Sequence, residues 1–279
     1  MTAELSAERV QAALKTRWLG RPYHFYPVAA STNDLLKQWA AAGTDREPAA
    51  GTALLADYQS SGRGRLGRSW VAPAGSSLLL SILFRPDWPA TQAHWLTMMA
   101  STAAAVAVER VCSLAVGVKW PNDLVLSVDG AWRKFSGLLL EGNINADGRF
   151  TSAVLGIGIN VNIPPDQLPQ TPFTATSLQA AVGRPVSRLE LLLTFLERLE
   201  PLYEAAAAGR SPQTEWNRRL VMLGQEVEVT HRDGRLIAQG IAVGTNEWGQ
   251  LLVRDNAGNL HPIAAGDVTL RSNLEKSSR

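Results

Sequence analysis

A segment rich in glycine and arginine, Tyr58–Trp70, has the sequence YQSSGRGRLGRSW, and we term it the Gly–Arg loop. Its glycines allow backbone amides to approach an anion closely, and its arginines add planar, permanently charged groups that suit phosphate and carboxylate oxygens. This composition predicts a loop that closes over a multiply charged ligand such as a nucleoside triphosphate. A solvated basic surface loop is the alternative, but Gln59 and Trp70 near its two ends favour a pocket.

The same glycines, Gly62, Gly64 and Gly67, also satisfy the G-x-G-x-x-G spacing of dinucleotide-binding turns. In those turns the third glycine opens a helix whose N-terminus holds a pyrophosphate. Here the residues that follow, Arg68–Gly75, read RSWVAPAG and do not favour a helix. The acidic residue at the expected distance, Asp87, lies between prolines. The context therefore disfavours a nicotinamide-dependent oxidoreductase.

A second candidate for chemistry is Lys119–Asp123, with the sequence KWPND. It places a lysine, an amide and a carboxylate around a proline, and the proline breaks strand pairing. The segment therefore predicts a turn whose polar side chains can meet a ligand. An edge turn with an exposed ion pair is the alternative.

Lys134 opens a strand-like run that is otherwise apolar. On an extended strand Lys134 shares a face with Ser136, Leu138 and Leu140. If that face is covered, the ammonium group needs a partner, which a ligand carboxylate or phosphate can supply. If Lys134 lies at the end of the strand, its side chain can instead extend to water.

The triplet Ser31-Thr32-Asn33 precedes a helical pattern and brings two hydroxyl groups and an amide together. Its structural interpretation is a helix cap: Ser31 or Thr32 can accept a hydrogen bond from the first turn, and Asp34 suits the positive end of the helix. Gly43 can end that helix.

The elements that must position these residues follow from hydrophobic periodicity. Helices are predicted over residues 6–18, from the triplet to Gly43, 92–111, 188–208 and 213–220. Strands are predicted over residues 25–28, 52–58, 77–84, 118–120, 124–128, 132–145 and 149–161. The last two form a hairpin across Asp147-Gly148, a dipeptide suited to a tight turn.

The pattern changes after about Leu223. Short strands are predicted over residues 225–230, 236–243, 251–253 and 261–263, separated by turn dipeptides. Four or five such strands are typical of a small SH3-like β-barrel. The fold class is therefore α+β, with a first domain over residues 1–222 and a β-barrel domain over residues 223–279.

Composition excludes several classes of protein. Apolar residues make up 46% of the 279 residues, which is enough for a buried core and excludes a disordered or collagenous chain. A formal charge of +2 does not suggest a general nucleic-acid or membrane-surface binder. The single cysteine, Cys112, allows no internal disulfide, and the four histidines have no metal-ligand spacing. No signal-peptide or membrane-spanning pattern is present, so we expect a cytoplasmic protein.

Taken in chain order, these motifs resemble those of the biotin protein ligases. The resemblance runs from about residue 23 to the C-terminus. It rests on the triplet, the Gly–Arg loop, the KWPND turn, Lys134 with Gly137, and the sequence GIGIN at Gly156–Asn160. It implies a class II synthetase-like catalytic domain, a mixed β-sheet flanked by helices, followed by the small barrel.

The resemblance also implies an activity. These enzymes join biotin to ATP, which gives biotinyl-5′-adenylate and pyrophosphate. They then transfer biotin to one lysine of a biotin carboxyl carrier protein or domain, usually in acetyl-CoA carboxylase. Because a carboxylate attacks the α-phosphate, two anions must meet, and catalysis should depend on positioning and charge neutralisation.

The resemblance assigns roles to the matching residues. The residues implied to bind biotin are Ser31, Thr32, Asn33, Gln59, Arg63, Gly64, Arg65, Lys134 and Gly137. The residues implied to bind ATP or the adenylate are Arg63, Arg65, Arg68, Trp70, Asn122 and Lys134. The residues implied to be catalytic are Lys134, Arg63 and Asp123. ATP is expected with Mg²⁺, for which Asn122 is a candidate contact, and neither a protein metal cage nor a structural metal is expected.

Two departures from the family pattern matter. Leu66 stands where many relatives have an arginine, which puts a phosphate contact at that position in doubt. Roughly twenty residues precede the first strand, whereas repressor-type members carry a winged helix-turn-helix there. We therefore expect a monofunctional ligase without a nucleic-acid partner.

Two other functions stay open at this point. A lipoate–protein ligase shares the catalytic fold and the adenylate chemistry, although the Gly–Arg loop and the barrel favour biotin. A non-catalytic biotin sensor belongs to a different class, and the sequence supplies no output module for it. A homodimer formed through sheet edges is also left open, since the family includes both monomers and dimers.

Overall fold

A seven-stranded mixed sheet forms the centre of the first part of the chain. The computed structural model describes residues 4–41, 48–168, 174–231 and 233–270. The strands of this sheet are β1 (Tyr23–Ala29), β2 (Ala53–Gln59), β3 (Ser77–Phe84), β4 (Val116–Lys119), β5 (Asp123–Val128), β6 (Ala131–Ile144) and β7 (Phe150–Asn160). They lie in the order β1-β2-β3-β7-β6-β5-β4. Only β1 and β2 pair in parallel; the other neighbours are antiparallel.

Six α-helices accompany the sheet in the described part of the chain. They are α1 (Ala7–Ala13), α2 (Thr32–Ala41), α3 (Ala93–Cys112), α4 (Leu178–Val182), α5 (Arg188–Ala207) and α6 (Gln213–Asn217). Helices α3 and α5 pack against each other, and α3 also contacts β4, β5 and β6. Cys112 is buried at the end of α3 and belongs to the hydrophobic core.

Strand β3 lies at the centre of the sheet, and all eight of its residues are buried. Leu80 and Ile82 belong to the large core that includes α3 and α5. Leu83 points the other way and packs with Leu36 of α2. Because helices cover both faces of the sheet here, the sequence of the strand is mostly apolar without alternation. The predicted bounds of the strand, residues 77–84, are confirmed.

Two predicted helices are too long, for tertiary reasons. The helix predicted over residues 6–18 ends at Ala13, because the backbone N–H groups of Arg17 and Leu19 donate to the Glu200 carboxylate at 3.0 and 3.2 Å. The helix predicted over residues 213–220 ends at Asn217. There the next residues pair with the edge strand β4: Val118 donates its N–H to the carbonyl of Arg219 at 2.7 Å.

A five-stranded antiparallel sheet follows, which confirms the predicted fold class. Its strands are β8 (Glu226–Thr230), β9 (Leu236–Thr245), β10 (Leu251–Arg254), β11 (Leu260–Ile263) and β12 (Asp267–Leu270), in the order β11-β10-β9-β8-β12. It contacts the first part of the chain where Trp120 Nε1 donates to the carbonyl of Gly249 at 2.9 Å. The domain limits 1–222 and 223–279 stay predictions.

The predicted hairpin of β6 and β7 is confirmed, and its turn is closed by a hydrogen bond from Asn145 N to the carbonyl of Arg149 at 2.9 Å. Gly43, proposed to end α2, lies outside the described residues. Within the described ranges, the chain has no helix with both the length and the apolar character needed to cross a membrane.

Candidate active site

A cavity of about 490 Å³ lies between the mixed sheet, the Gly–Arg loop and the start of β12. Its volume suits a small-molecule ligand. Every residue proposed for the site from the sequence lines this cavity: Ser31, Thr32, Asn33, Gln59, Arg63, Gly64, Arg65, Arg68, Trp70, Asn122, Asp123, Lys134 and Gly137. The fold therefore brings together residues that are far apart in the sequence.

One end of the cavity is neutral and rich in hydrogen-bonding groups. Thr32 donates to Gln59 Oε1 through both its backbone N–H and its hydroxyl, at 2.7 and 3.0 Å. Because that amide oxygen is occupied, the Gln59 Nε2 group is left to donate elsewhere. Ser31 caps α2, since its Oγ accepts from the Asp34 N–H at 3.3 Å. The structural and functional interpretations of the triplet are thus compatible.

Ser81, on β3, is a residue of this end that the sequence analysis missed. Its hydroxyl lies 2.7 Å from Thr32 Oγ1 and 2.5 Å from Asn33 Oδ1, and it is fully buried. A hydroxyl in the middle of the apolar run SLLLSILF was the available signal. Ser81 holds two of the predicted biotin-binding side chains in place.

Glycines on β7 make room for the side chains that form the wall. A Cβ atom at Gly158 would lie 2.5 Å from the Trp70 ring, and one at Gly156 would lie 2.3 Å from Asn33 Oδ1. Neither approach is tolerable for a real side chain, so only glycine fits at these positions. The Trp70 indole therefore lies directly on β7. Its Nε1 atom is buried and has no hydrogen-bond partner among the described residues.

The Gly–Arg loop forms a short hairpin over the cavity. Trp70 N donates to Gly62 O at 2.9 Å, and Gly64 N donates to Arg68 O at 2.7 Å. At its tip Leu66 adopts a φ of 56°, a left-handed conformation that is uncommon for leucine, and its side chain is partly exposed. No helix begins after the third glycine, which removes the dinucleotide-binding interpretation.

The three arginines of the loop each have a partner on another element. Arg63 forms ion pairs with Glu141 of β6 and, at 3.1 Å, with Asp34 of α2. Arg65 Nη1 donates to Asn122 Oδ1 at 2.9 Å. Burial lowers the pKa of Arg65, although nearby carboxylates oppose this effect.

Arg68 forms a two-pronged ion pair with Asp267, at the start of β12. The hydrogen bonds that Arg68 donates to the Asp267 carboxylate raise the pKa of Arg68. This pair joins the Gly–Arg loop to the C-terminal sheet. The sequence analysis did not assign Asp267 to the site.

The other end of the cavity is strongly basic. Lys134 Nζ lies 2.7 Å from Asp123 Oδ1 and 5.7 Å from the centre of the Trp70 ring. Lys119 lies opposite Asp123 in the antiparallel backbone pairing of β4 and β5. Burial lowers the pKa of Lys119 to about 8, with Asp123 acting in the opposite direction. The KWPND segment is therefore a turn facing the cavity, not an exposed edge turn.

Charges at this end do not cancel. Four basic residues line this end: Arg65, Arg68, Lys119 and Lys134. Arg63 also lines the cavity, but Glu141 and Asp34 balance its charge. The acidic residues that line it are Asp123 and Asp267. The excess of positive charge suits an anionic ligand such as a phosphate-bearing one.

The prediction that Lys134 shares a face with Ser136, Leu138 and Leu140 was wrong. A β-bulge shifts the pairing of β5 and β6 between Leu124 and Val125, with Phe135 as the extra residue. Lys134 Nζ consequently lies 3.1 Å from the Cβ position of Gly137, three residues along, so the two share a face. In a regular strand they would point in opposite directions. The bulge therefore turns Lys134 toward the cavity.

Asn160, at the end of β7, is a further polar residue of the cavity. Its Nδ2 group donates to the carbonyl of Thr176 at 3.1 Å, whereas its buried Oδ1 atom has no partner among the described residues. An unpaired buried acceptor is unfavourable unless a ligand supplies a donor. The sequence analysis placed Asn160 only within a motif, without a role.

The donor set suits a metal ion carried by a ligand. Within the described residues, no cluster of three histidine, cysteine or acidic side chains could hold a metal. Asn122 Oδ1 accepts from Arg65, and its Nδ2 group donates to the carbonyl of Leu138 at 2.6 Å. Asp123 adds one carboxylate beside them. A Mg²⁺ ion bound chiefly by phosphates needs no more than one or two such protein oxygens.

Comparison with known proteins agrees with this geometry. A family model described as the Biotin/lipoate A/B protein ligase family matches residues 26–160, and one described as the Biotin protein ligase C terminal domain matches residues 222–271. The chain is 31% identical to a Biotin--[acetyl-CoA-carboxylase] ligase of Mycobacterium tuberculosis, over 85% of each protein. It is 29% identical to the Bifunctional ligase/repressor BirA of Bacillus subtilis, over 96% of this chain and 79% of that protein.

A solved structure shows the same architecture. The biotin protein ligase from Aquifex aeolicus superposes with a TM-score of 0.69 at 28% identity, covering 88% of this chain and 97% of that one. The mixed sheet and its basic cavity thus define a ligase enzyme of the biotin and lipoate type. The C-terminal β-sheet narrows this assignment: the chain belongs to the biotin protein ligase family.

Proposed function

We propose that this chain activates biotin with ATP and transfers it to a lysine of a biotin carboxyl carrier domain, that of acetyl-CoA carboxylase. The observation that supports this proposal best is a single cavity with a neutral hydrogen-bonding end and a basic end. Biotin has a neutral ring system and a carboxylate, so it matches both ends. The Aquifex relative was solved with biotin and ATP, and the mycobacterial relative is named for acetyl-CoA carboxylase.

The neutral end would bind the fused ring of biotin. Ser31, Thr32, Asn33 and Gln59 offer hydroxyl and amide groups that can match each polar atom of a ureido ring. Three of them are almost fully buried, which makes a mismatch costly at about 1–3 kcal/mol for each unpaired group. Uncharged side chains meet this need better than ionic ones would.

The basic end would hold the reacting groups. A biotin carboxylate oxygen attacks the α-phosphorus of ATP, a new P–O bond forms, and the bond to pyrophosphate breaks. Lys134 would bind both anions, and Asp123 contacts the Lys134 ammonium group at 2.7 Å. Lysine at this position lowers the repulsion between carboxylate and phosphate. Mg²⁺ bound to ATP would add charge neutralisation for the leaving pyrophosphate.

Other residues would contact the adenylate. The loop backbone at Gly64 can approach the ligand closely. Arg65, Arg68 and Asn122 line the cavity, and we propose that they contact the phosphates. Trp70 would cover the apolar tail of biotin from its position on β7. In the second half-reaction, the amine of the acceptor lysine attacks the acyl carbon, and AMP leaves.

Several related predictions stay part of this proposal. We propose the domain limits given above, a cytoplasmic location and no nucleic-acid partner. A homodimer would use a sheet edge, and β1 is one of the two edge strands of the mixed sheet. Lipoate is the rival substrate, because one matching family model covers both kinds of ligase. The match to the biotin-specific C-terminal domain favours biotin.

Pyrophosphate release from Mg·ATP tests the proposal directly, with biotin, lipoate and octanoate compared as substrates. Release with biotin alone, followed by a mass increase on a carrier domain, is the expected result. Release with lipoate alone would keep the fold and change the substrate. If the protein binds biotin tightly but releases no pyrophosphate with any of the three acids, it would instead be a sensor.

A further inference from the structure

Glu141 is the hub of a charged cluster beside the cavity. It lies on β6 with its side chain 23% exposed. It accepts hydrogen bonds from Asn33 Nδ2 at 3.0 Å, from Lys37 Nζ at 2.8 Å and from Arg63 Nη2. Two separate parts of the chain, helix α2 and the Gly–Arg loop, therefore meet at one carboxylate of β6.

This carboxylate is strongly ionised in the folded protein. Burial raises the pKa of Glu141, but the hydrogen bonds from Arg63, Lys37 and Asn33 outweigh burial and lower it to about 2. Asp34 adds a second anion, 3.1 Å from Arg63 and 3.7 Å from Lys37. Two cations thus face two anions, and the charge of Arg63 is balanced within the protein.

Because Arg63 belongs to the Gly–Arg loop, its ion pairs with Glu141 and Asp34 attach the loop to β6 and α2. Arg63 lies in the stem of the loop, where it forms an isolated bridge with Ser69. Fixing its side chain to β6 and α2 therefore fixes the stem above the cavity. Glu141 also holds Asn33, one of the residues proposed to bind biotin.

We propose that Glu141 is a positioning residue that holds the Gly–Arg loop closed over the cavity through Arg63. It couples the loop to the neutral end of the site through Asn33. The side chain of Arg63 links these elements, in place of the catalytic and ligand-binding roles that the resemblance implies for it. Contacts with the ligand then come from the loop backbone and from Arg65. The consequence for the enzyme, slow escape of the adenylate, rests on the proposed function.

The test uses two readouts on the full chain. The first is the rate at which trypsin cleaves the ligand-free protein after Arg65 and Arg68, two loop sites that every variant below retains. Cleavage at Arg149 in the exposed β6–β7 turn is the internal reference. The second is the rate of adenylate loss after a single turnover. For Glu141→Gln we expect both rates to rise about tenfold, the equivalent of losing one partly buried ion pair.

Matched variants separate positioning from general destabilisation. Arg63→Gln removes the same ion pair by changing the loop residue, and both rates should rise as in Glu141→Gln. It also provides the test if Glu141→Gln fails to fold. The charge swap Arg63→Glu with Glu141→Arg should restore slow cleavage in part. Lys37→Ala removes the other cation on Glu141 but lies on α2, so both rates should stay near wild type.

Two results would overturn the proposal: unchanged rates in Glu141→Gln and Arg63→Gln, or equal acceleration at Arg149 and in the loop. If the wild type forms no adenylate, the proposed function fails. The trypsin comparison would still decide whether Glu141 positions the loop.

Discussion

At the scale of single residues, the ion pair of Lys134 and Asp123 is the centre of the proposed chemistry. Lys134 is 30% exposed and Asp123 18% exposed, so the pair lies in the cavity wall and not in the core. An ammonium group in that place can exchange a protein carboxylate for a ligand carboxylate or phosphate without leaving the site. Its removal should therefore affect chemistry far more than folding.

Replacing Lys134 by alanine tests this expectation. Adenylate formation in a single turnover should fall by about 100-fold or more, because one preorganised charge at the reacting centre is lost. The melting temperature should change little. Arg133→Ala, at the neighbouring and partly exposed position, is the matched control and should adenylate at the wild-type rate. An unchanged rate in Lys134→Ala would remove this lysine from the mechanism.

The lowered pKa of Lys119 predicts that the affinity for ATP depends on pH. With a pKa lowered by burial to about 8, it is charged below that pH and neutral above it. The affinity for ATP in the absence of biotin should therefore fall about tenfold as the pH rises from 7 to 9, since one cation of the cavity is lost. In Lys119→Gln the affinity should be low already at pH 7 and nearly flat. Calorimetric titration at several pH values measures the ATP affinity of both proteins. Parallel pH dependences of wild type and Lys119→Gln would show that Lys119 is not the titrating group.

The lowered pKa of Lys119 also makes the free energy of unfolding depend on pH. The unfolded chain keeps the proton of Lys119 up to its ordinary pKa of 10.5. Between about pH 8 and that value the folded protein binds fewer protons than the unfolded one. In that window this group makes the free energy of unfolding rise with pH.

At the scale of elements, the shape of the cavity depends on strands that can approach a ring or an amide closely. Strand β7 carries glycines at the two positions where Trp70 and Asn33 cross it. Strand β6 carries the bulge that directs Lys134. The sheet therefore contributes backbone geometry to the site as well as side chains.

Gly158→Ala tests the contribution of β7. The added methyl group would lie 2.5 Å from the Trp70 ring, so Trp70 must move into the cavity. Overpacking of this kind costs typically about 1–3 kcal/mol, and the Kd for biotin should rise about tenfold or more. Gly244→Ala on β9 is the control, because nothing lies within 4 Å of its Cβ position. Equal biotin affinity in Gly158→Ala and wild type would show that Trp70 does not wall the binding site.

At the scale of the whole molecule, the two sheets share the cavity. Asp267 of the C-terminal sheet lines it and pairs with Arg68 of the Gly–Arg loop. Trp120 of the KWPND turn, which also lines the cavity, donates to the carbonyl of Gly249 between β9 and β10. The C-terminal sheet therefore belongs to the site and is not a separate appendage.

A double-mutant cycle with Arg68→Gln and Asp267→Asn tests this connection. Both groups are partly exposed, so each change should lower stability by less than about 1 kcal/mol. The KM for ATP should nevertheless rise several-fold in each single variant. The double variant should be little worse than Arg68→Gln alone, because the two residues act through one contact. Strictly additive effects would mean that the pair does not act as a unit.

The sequence by itself determined most of the elements and the chemical character of the site, although not the ends of α1 and α6. The apolar run of β3 and the Asp147-Gly148 turn are local signals, and both were predicted correctly. The residue types of the Gly–Arg loop and the KWPND turn pointed to an anionic ligand and to the family. These patterns are readable because they depend on the period of the backbone and on side-chain chemistry, which each segment carries alone.

Only the tertiary structure decided which charges are paired and which way they face. Arg63 meets Glu141 from 78 residues away, and Arg68 meets Asp267 from 199 residues away. A single ionic residue has the same sequence pattern whether it is solvated or bound to a distant partner, so neither acid was recognised. The end of α1 at Ala13 and the face of Lys134 likewise depend on Glu200 and on strand register. Such contacts form only when the chain folds back on itself, and no local period encodes them.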